Sequence, residues 1–306
     1  MKKAKNNPFS IYTHNINWVI TDTCNYRCPY CFASVKKEPS SVSPLAIVEG
    51  LKNKLKGKWD VTILGGEPFF HDDFLEAIKG LTKLKQLHRI SIYTNFSAKS
   101  DKIVKFLKIT KGRLFLVFAS LHLDYVKSDA FLSKVSEIEK SFPGFKKNLL
   151  VTSVGIVDKL PYLEKIKKKF FEAGVQLIIW AYQRPDRTFF QYSARQKKIL
   201  KQLNQNYNLP RFNDFAAACS NQGIDKPSAS FKGRKCSAGF WSFFMLPNGA
   251  AYSCVMACRA KKGYLGNLLK GDFELRKTFS QCLYEECSCS LSVDRIFWDK
   301  AVIKSK

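Results

Sequence analysis

The sequence lacks long apolar runs. No stretch comes near the roughly 18–20 apolar residues that a helix needs to span a bilayer. The basic start of the chain, Met1 to Asn7, is not followed by the apolar segment of a signal peptide. These absences weigh against a membrane-spanning or secreted protein, so we expect a cytoplasmic protein with no membrane partner.

Acidic residues are also scarce. The chain has 25 Asp and Glu against 51 Lys and Arg, a formal net charge of +26. Such an excess suits a polyanionic partner, for example tRNA, an acidic peptide or a phosphorylated substrate. The basic residues are spread along the chain, and the run at 165–169 falls on a predicted helix, where it is typical of a solvated face. We therefore favour a diffuse basic surface, and nucleic acid is a candidate partner on charge alone.

Cysteine, in contrast, is plentiful. In a cytoplasmic protein the ten cysteines are expected to be thiols, so clusters of them indicate metal binding or catalysis rather than disulfide bonds. The first cluster is Cys24, Cys28 and Cys31. Iron–sulfur clusters usually have four cysteine ligands, so three would leave one iron open to another ligand. A zinc site is the alternative, with His14 or a distant cysteine as its fourth ligand.

This stretch, Cys24-Asn25-Tyr26-Arg27-Cys28-Pro29-Tyr30-Cys31, resembles the cysteine loop of the radical S-adenosylmethionine (SAM) superfamily. The resemblance implies a [4Fe–4S] cluster whose open iron chelates the amino and carboxylate groups of SAM. It implies that an electron from a low-potential donor, such as flavodoxin or ferredoxin, cleaves SAM to a 5′-deoxyadenosyl radical. It also implies that Tyr30 lies near the adenine.

Strand-like and helical segments alternate along most of the chain. We predict strands at 17–22, 59–64, 89–93, 114–119, 149–154 and 175–180, with helices between them. This alternation indicates an α/β fold with a parallel sheet. Together with the cysteine loop, it resembles the open (βα)6 partial barrel of radical SAM enzymes.

Polar motifs follow the predicted strands, at the edge where barrel enzymes place their chemistry. Gly65-Gly66-Glu67-Pro68 follows the second strand, Thr94-Asn95 the third, and Ser120 and His122 the fourth. The resemblance implies that the first two motifs contact SAM, with the carboxylate of Glu67 accepting from its amino group. Ser120 is expected in the same cofactor site. The catalytic residue is unknown from sequence. His122 is a candidate, although a lone histidine is more often a structural residue.

A second cysteine set lies near the C-terminus. Strand-like segments flank the turn Pro247-Asn248-Gly249, and the predicted hairpin brings Cys236 near Cys254. The region resembles the SPASM/twitch extension of radical SAM enzymes, which implies an auxiliary [4Fe–4S] cluster. It lacks the Cys-x2-Cys pairs of the two-cluster version, so the one-cluster version fits better. Two further ligands are expected from Cys282, Cys287 and Cys289, of which the closely spaced Cys287 and Cys289 come first. Cys258 is an alternate ligand or a bystander, and Cys219 is expected to be a buried or incidental thiol.

We therefore predict a radical SAM barrel at 1–210 and an auxiliary cluster domain at 211–306. The expected activity is hydrogen-atom abstraction from a substrate C–H bond. The substrate is a peptide or protein residue, a small molecule such as a sugar, or, on charge alone, a nucleic acid. The cysteine loop begins at residue 24, which leaves no room for an N-terminal leader-recognition domain and weakens the peptide class. A zinc-containing, basic nucleic-acid-binding protein is the alternative from a different class.

Overall fold

The computed structural model describes residues 14–31, 33, 42–184, 188–204, 224 and 231–285. Cys219, Cys287 and Cys289 lie outside these residues, and so does the predicted domain boundary at 210 and 211. The statements below concern the described part of the chain.

Strands β1 to β6 lie side by side in chain order, and each pairs with the next in parallel. They are β1 (His14–Thr21), β2 (Trp59–Gly65), β3 (Leu87–Thr94), β4 (Leu114–Ser120), β5 (Leu149–Gly155) and β6 (Leu177–Ala181). Because parallel neighbours are joined by crossover helices, their carboxyl ends all meet at one edge. The predicted α/β architecture is confirmed.

Helices lie between these strands and after the last of them, and some begin or end at capping signals in the sequence. They are α1 (Pro44–Lys54), α2 (Phe74–Thr82), α3 (Ser100–Ile109), α4 (Ser128–Ser141), α5 (Leu160–Glu172) and α6 (Ala194–Leu203). Ser43 accepts from the Leu45 amide at the start of α1, with Pro44 in the first turn. Gly174, at φ +67°, follows the end of α5 in the left-handed region. Among the described helices, none is long and apolar enough to cross a membrane.

The C-terminal region extends the same sheet. Its elements are β7 (Lys235–Cys236), β8 (Ser242–Met245), β9 (Ala250–Tyr252), α7 (Val255–Arg259), β10 (Tyr264–Asn267) and β11 (Ser280–Gln281). Strand β8 pairs in parallel with the free edge of β1, and β9 and β10 continue the sheet antiparallel. The described strands thus follow the order β10-β9-β8-β1-β2-β3-β4-β5-β6, while β7 and β11 form a separate ribbon. The division at 210 and 211 stays a prediction, but the sheet runs across it.

Aromatic packing joins the added strands to the barrel. Phe243 of β8 is fully buried, and its ring centroid lies 5.6 Å from that of Trp59 on β2 and 4.9 Å from that of Phe273. These residues belong to the same apolar core as the barrel helices. The C-terminal strands are therefore expected to unfold together with the barrel.

Phe243→Ala tests this continuity. Removing a fully buried ring should cost about 3–5 kcal/mol and lower the midpoint of a single thermal transition, as followed by calorimetry. Phe170→Ala, at an equally buried position in α5, is the control and should shift the same transition. Two transitions, of which Phe243→Ala moves one and Phe170→Ala the other, would show that the C-terminal region folds separately.

Candidate cluster and cofactor site

Backbone hydrogen bonds fasten the cysteine loop to the end of β2. The amide of Gly66 donates to the Thr21 carbonyl at 2.9 Å, and the amide of Glu67 donates to the Thr23 carbonyl at 2.9 Å. A Cβ atom on Gly66 would lie 2.0 Å from the Thr23 carbonyl oxygen, so the close approach requires glycine. The two strand ends together fix Cys24, which follows Thr23, at the carboxyl edge of the sheet.

The three cysteines of this loop are thiols, with Cys24 and Cys28 partly buried and Cys31 exposed. Burial raises the pKa of the Cys24 thiol, and it raises that of Cys28 to about 11. The charge of Cys31 adds to both shifts, so the sulfurs are close enough to repel one another as thiolates. A bound metal replaces the thiol protons and supplies positive charge. The donor set therefore fits an iron–sulfur cluster.

Glu67 is buried beneath this loop. Its carboxylate accepts hydrogen bonds from the Thr94 hydroxyl at 2.7 Å, the Asn95 amide at 2.6 Å and the Phe69 amide at 3.2 Å. Burial raises the pKa of Glu67 to about 7, against the effect of these donors. The expected contact with the SAM amino group stays a prediction. The contacts present give the carboxylate another role, which is to join the turn after β2 to the end of β3.

Asn95 carries this connection to the cysteines. Its side-chain amide donates to the side-chain oxygen Oδ1 of Asn25 at 2.8 Å and lies 3.7 Å from the Cys24 sulfur. Asn25 in turn donates to the Ser97 hydroxyl at 3.0 Å. The structure thus brings Gly66, Glu67 and Asn95 together around Cys24. It adds Asn25, which the sequence pattern does not single out.

The turn after Asn95 is held by a lysine from a distant helix. Phe96 has a left-handed backbone, φ 59°, which is strained for a bulky residue. The ammonium group of Lys134 in α4 donates to the carbonyl oxygens of Phe96, Ser97 and Ala98 at 3.1, 3.3 and 2.9 Å. Nothing in the sequence of α4 distinguishes Lys134 from a surface lysine, so sequence reasoning could not find it.

Two residues after β4, His122 and Tyr125, also contact the cysteine loop. His122 Nδ1 lies 2.9 Å from the Tyr30 hydroxyl and 3.5 Å from the Cys28 sulfur. Burial lowers the pKa of His122 to about 4, with a smaller opposing effect of Asp124, so the imidazole is neutral at pH 7. The hydroxyl of Tyr125 accepts from the Arg27 amide at 2.8 Å. Ser120, the last residue of β4, is partly exposed at the same edge.

The second cysteine set also comes together in part. Cys236 on β7 and Cys282, directly after β11, are buried in one small cluster with Cys254 packed against it. The sulfur of Cys236 accepts from the Ala238 amide and that of Cys254 from the Ala257 amide, both at 3.4 Å. Cys258 lies in α7, one turn beyond Cys254, and burial raises the pKa of its thiol to about 11, with the charge of Cys254 adding to it. Of the three cysteines expected to complete the site, the structure thus positions Cys282.

The fold corrects the suggestion that His14 could be the fourth zinc ligand beside Cys24, Cys28 and Cys31. His14 starts β1 and Cys24 follows its end, so the length of the strand, roughly 23 Å, separates them. The His14 ring instead stacks on Trp59 at 4.4 Å. Across the described residues, no group of three His, Cys, Asp or Glu side chains is arranged around one metal ion.

Comparison with known proteins finds a family to which part of this chain is similar. The model of the radical SAM superfamily matches residues 18–149, which hold the cysteine loop, Glu67, Asn95 and His122. Over these residues, which make up less than half of the chain, it is similar to the radical SAM superfamily. GTP 3',8-cyclase of Listeria monocytogenes serotype 4b is 30% identical over 142 residues, 42% of this chain and 39% of that protein. The cyclase of Clostridium perfringens strain SM101 is 24% identical over 173 residues, 54% of this chain and 51% of that protein. The matches thus cover about two fifths to half of these curated relatives.

Solved structures share the radical SAM fold. The enzyme anSMEcpe with bound AdoMet superposes with a TM-score of 0.57 at 18% identity, over 87% of this chain and 81% of that one. Streptococcus suis SuiB bound to S-adenosylmethionine gives 0.58 at 15% identity, over 85% and 64%. At these identities the likeness is one of fold, and it supports the partial-barrel architecture. The superfamily implies a [4Fe–4S] cluster and SAM as cofactors, and the thiols of the cysteine loop fit the cluster.

Glu67→Gln should separate the binding and structural roles of this carboxylate. An amide would turn its own N–H group toward the Asn95 or the Phe69 amide, so one backbone donor would lose its acceptor at a cost of about 1–3 kcal/mol. We expect a lower midpoint of thermal unfolding and, because Asn95 shifts, weaker SAM binding by calorimetric titration. Glu49→Gln, on an exposed side chain in α1, is the matched control. A Glu67→Gln protein with unchanged stability would contradict the structural role.

Proposed function

We propose that this chain is an enzyme that reductively cleaves SAM and uses the resulting radical to abstract a hydrogen atom from substrate. The observation that carries the proposal is the gathering of Cys24, Cys28 and Cys31 beside the Gly66 turn and Asn95 at the carboxyl edge of the sheet. When bound, the cluster supplies the electron that splits SAM into methionine and a 5′-deoxyadenosyl radical. A low-potential donor such as flavodoxin or ferredoxin restores that electron.

The residues of the chain divide the remaining work. Cys24, Cys28 and Cys31 hold the cluster, and Cys31 is the exposed one of the three. The cofactor-binding set proposed for SAM consists of Tyr30, Gly65, Gly66, Glu67, Thr94, Asn95 and Ser120. Within it Glu67 acts by orienting Asn95, because its carboxylate is already bonded to the protein.

We further propose an auxiliary [4Fe–4S] cluster in the C-terminal region, held by Cys236, Cys254 and Cys282 with one further cysteine. Amide donors on the sulfurs of Cys236 and Cys254 support it, because they stabilise a thiolate. Cys287, Cys289 and Cys258 are the candidates for the last ligand. A cluster here is the electron acceptor for a substrate radical, so the proposed overall reaction is a two-electron oxidation that consumes SAM.

The substrate class is a peptide or protein residue, or a small molecule. One structure of anSMEcpe contains AdoMet and a peptide, while the curated relatives are named for a nucleotide reaction, so the relatives support both. Only the net positive charge of the chain supports a nucleic-acid substrate. No contact among the described residues adds to that support.

Aromatic rings on the sheet favour a substrate with a planar or apolar part. The residues that alternate with Tyr93, Phe118 and Trp180 pack in the helix-covered core, so these three face the opposite side. Tyr93 stacks on Phe118 at 4.1 Å, and its ring centroid is 6.4 Å from that of Trp180. The buried indole N–H of Trp180 has no hydrogen-bond partner among the described residues. A substrate acceptor would satisfy it.

Iron and sulfide analysis tests the two-site proposal. Anaerobically reconstituted protein should hold eight irons, for two [4Fe–4S] clusters. The Cys24, Cys28 and Cys31 triple Ala variant should keep about half of them, because the second set lies on different elements. A zinc-only protein, loss of all iron in the variant or no change in its iron content would contradict the assignment.

Product analysis tests the oxidation. With SAM, reductant and a deuterated substrate, Cys236→Ala with Cys254→Ala should still transfer deuterium into 5′-deoxyadenosine but make no oxidised product. The reason is that hydrogen abstraction needs the first cluster alone, whereas electron loss needs the second. Full product from the double variant, or a redox-neutral isomer from the wild type, would contradict the electron-acceptor role.

A further inference from the structure

The three thiols of the cysteine loop are not equivalent in their surroundings. The sulfur of Cys24 lies 3.4 Å from the Tyr26 backbone nitrogen and 3.7 Å from the Asn95 side-chain nitrogen. Cys31 is exposed, with its sulfur 3.9 Å from the Ala33 carbonyl oxygen. Cys28 is met by side chains: its sulfur lies 3.5 Å from His122 Nδ1, and this nitrogen lies 2.9 Å from the Tyr30 hydroxyl.

His122 is held where it can act on Cys28. Its carbonyl oxygen accepts from the amides of Tyr125 and Val126 at 2.9 and 3.1 Å, which fixes the turn after β4. Its ring stacks on Tyr30, centroid to centroid 5.9 Å with 21° between the planes. The edge of the Tyr26 ring closes the other side at 5.8 Å and 89°. The imidazole thus contacts two rings, and its Nδ1 lies within hydrogen-bonding distance of the Tyr30 hydroxyl and the Cys28 sulfur.

Ligation of the Cys28 sulfur to iron decides the direction of these hydrogen bonds. A thiol can donate to Nδ1, but a thiolate bound to iron can only accept. Nδ1–H of His122 can then donate to the sulfur, or it can donate to the Tyr30 hydroxyl, whose own proton is then free to turn to the sulfur. Either arrangement delivers a donated hydrogen bond to the Cys28 thiolate.

We propose that His122 and Tyr30 form a hydrogen-bonding pair that positions the Cys28 thiolate and raises the midpoint potential of the cluster bound there. The inference rests on the proposed function, since it requires that cluster. Hydrogen bonds to ligand sulfur withdraw electron density and are among the features that set the potentials of iron–sulfur clusters. His122 is in this sense a positioning residue, acting through Cys28 and not on the substrate.

The test is a potentiometric titration of full-length, anaerobically reconstituted protein, followed by the electron paramagnetic resonance (EPR) signal that changes when SAM is added. His122→Ala and Tyr30→Phe should shift the midpoint potential of this signal to more negative values than in the wild type. His122→Asn should recover most of the wild-type midpoint potential, because the side-chain N–H of asparagine can occupy the place of Nδ1–H. Tyr125→Phe is the control: it removes the contact to the Arg27 amide in the same loop but leaves the groups facing Cys28.

The outcomes distinguish this inference from the proposed function. Unchanged potentials in His122→Ala and Tyr30→Phe, with full iron content, would overturn the pair's role and leave the enzyme assignment intact. An equal shift in Tyr125→Phe, or no rescue by His122→Asn, would also overturn it, because the effect would then be general loop disturbance. A wild-type protein that assembles no cluster would overturn the proposed function and this inference with it. Should His122→Ala fail to take up iron, Tyr30→Phe, which keeps the ring, decides the question.

Discussion

The site depends on the docking of one strand end onto another. Amides of Gly66 and Glu67 donate to carbonyl groups on either side of Asp22, so the turn after β2 lies directly against the chain that leads into Cys24. The approach leaves no space for a Cβ atom at residue 66. With this contact in place, the cysteine loop has a fixed starting point, and the other groups of the site are built outward from it.

A single buried carboxylate then spreads this order across the sheet. Glu67 joins the turn after β2 to the end of β3 through Thr94 and Asn95, and Asn95 reaches Asn25 and the Cys24 sulfur. The strained backbone at Phe96 persists because Lys134 binds three successive carbonyl groups there. Burying a carboxylate is costly unless hydrogen bonds compensate it, and the donors that do so are the same groups that shape the site. Stability and site geometry are thus supplied by one network.

The sequence predicts much of this because its signals are local. Alternation of strand-like and helical segments gives β1 to β6, Ser43-Pro44 and Gly174 mark helix ends, and the cysteine spacing locates the loop. Contacts between distant segments leave no such pattern. The parallel pairing of β8 with β1, the reach of Lys134 to the turn after β3 and the place of Tyr125 above Arg27 all join residues far apart in the chain. His14 shows the opposite error, since a residue near the cysteines in sequence lies at the far end of a strand. The sequence predicts that Glu67 lies at the carboxyl edge of the sheet. It does not predict which groups bond to its carboxylate, because the burial of that carboxylate depends on the whole fold.

The central claim is that the loop of Cys24, Cys28 and Cys31 holds a cluster with one iron open to SAM. The most direct measurement is electron–nuclear double resonance on the reduced protein with SAM labelled with nitrogen-15 in its amino group. A hyperfine coupling between the cluster spin and that nitrogen is predicted, and it should disappear in the Cys28→Ala variant. A reduced cluster without any coupling to labelled SAM, or a coupling that survives the loss of Cys28, would contradict it.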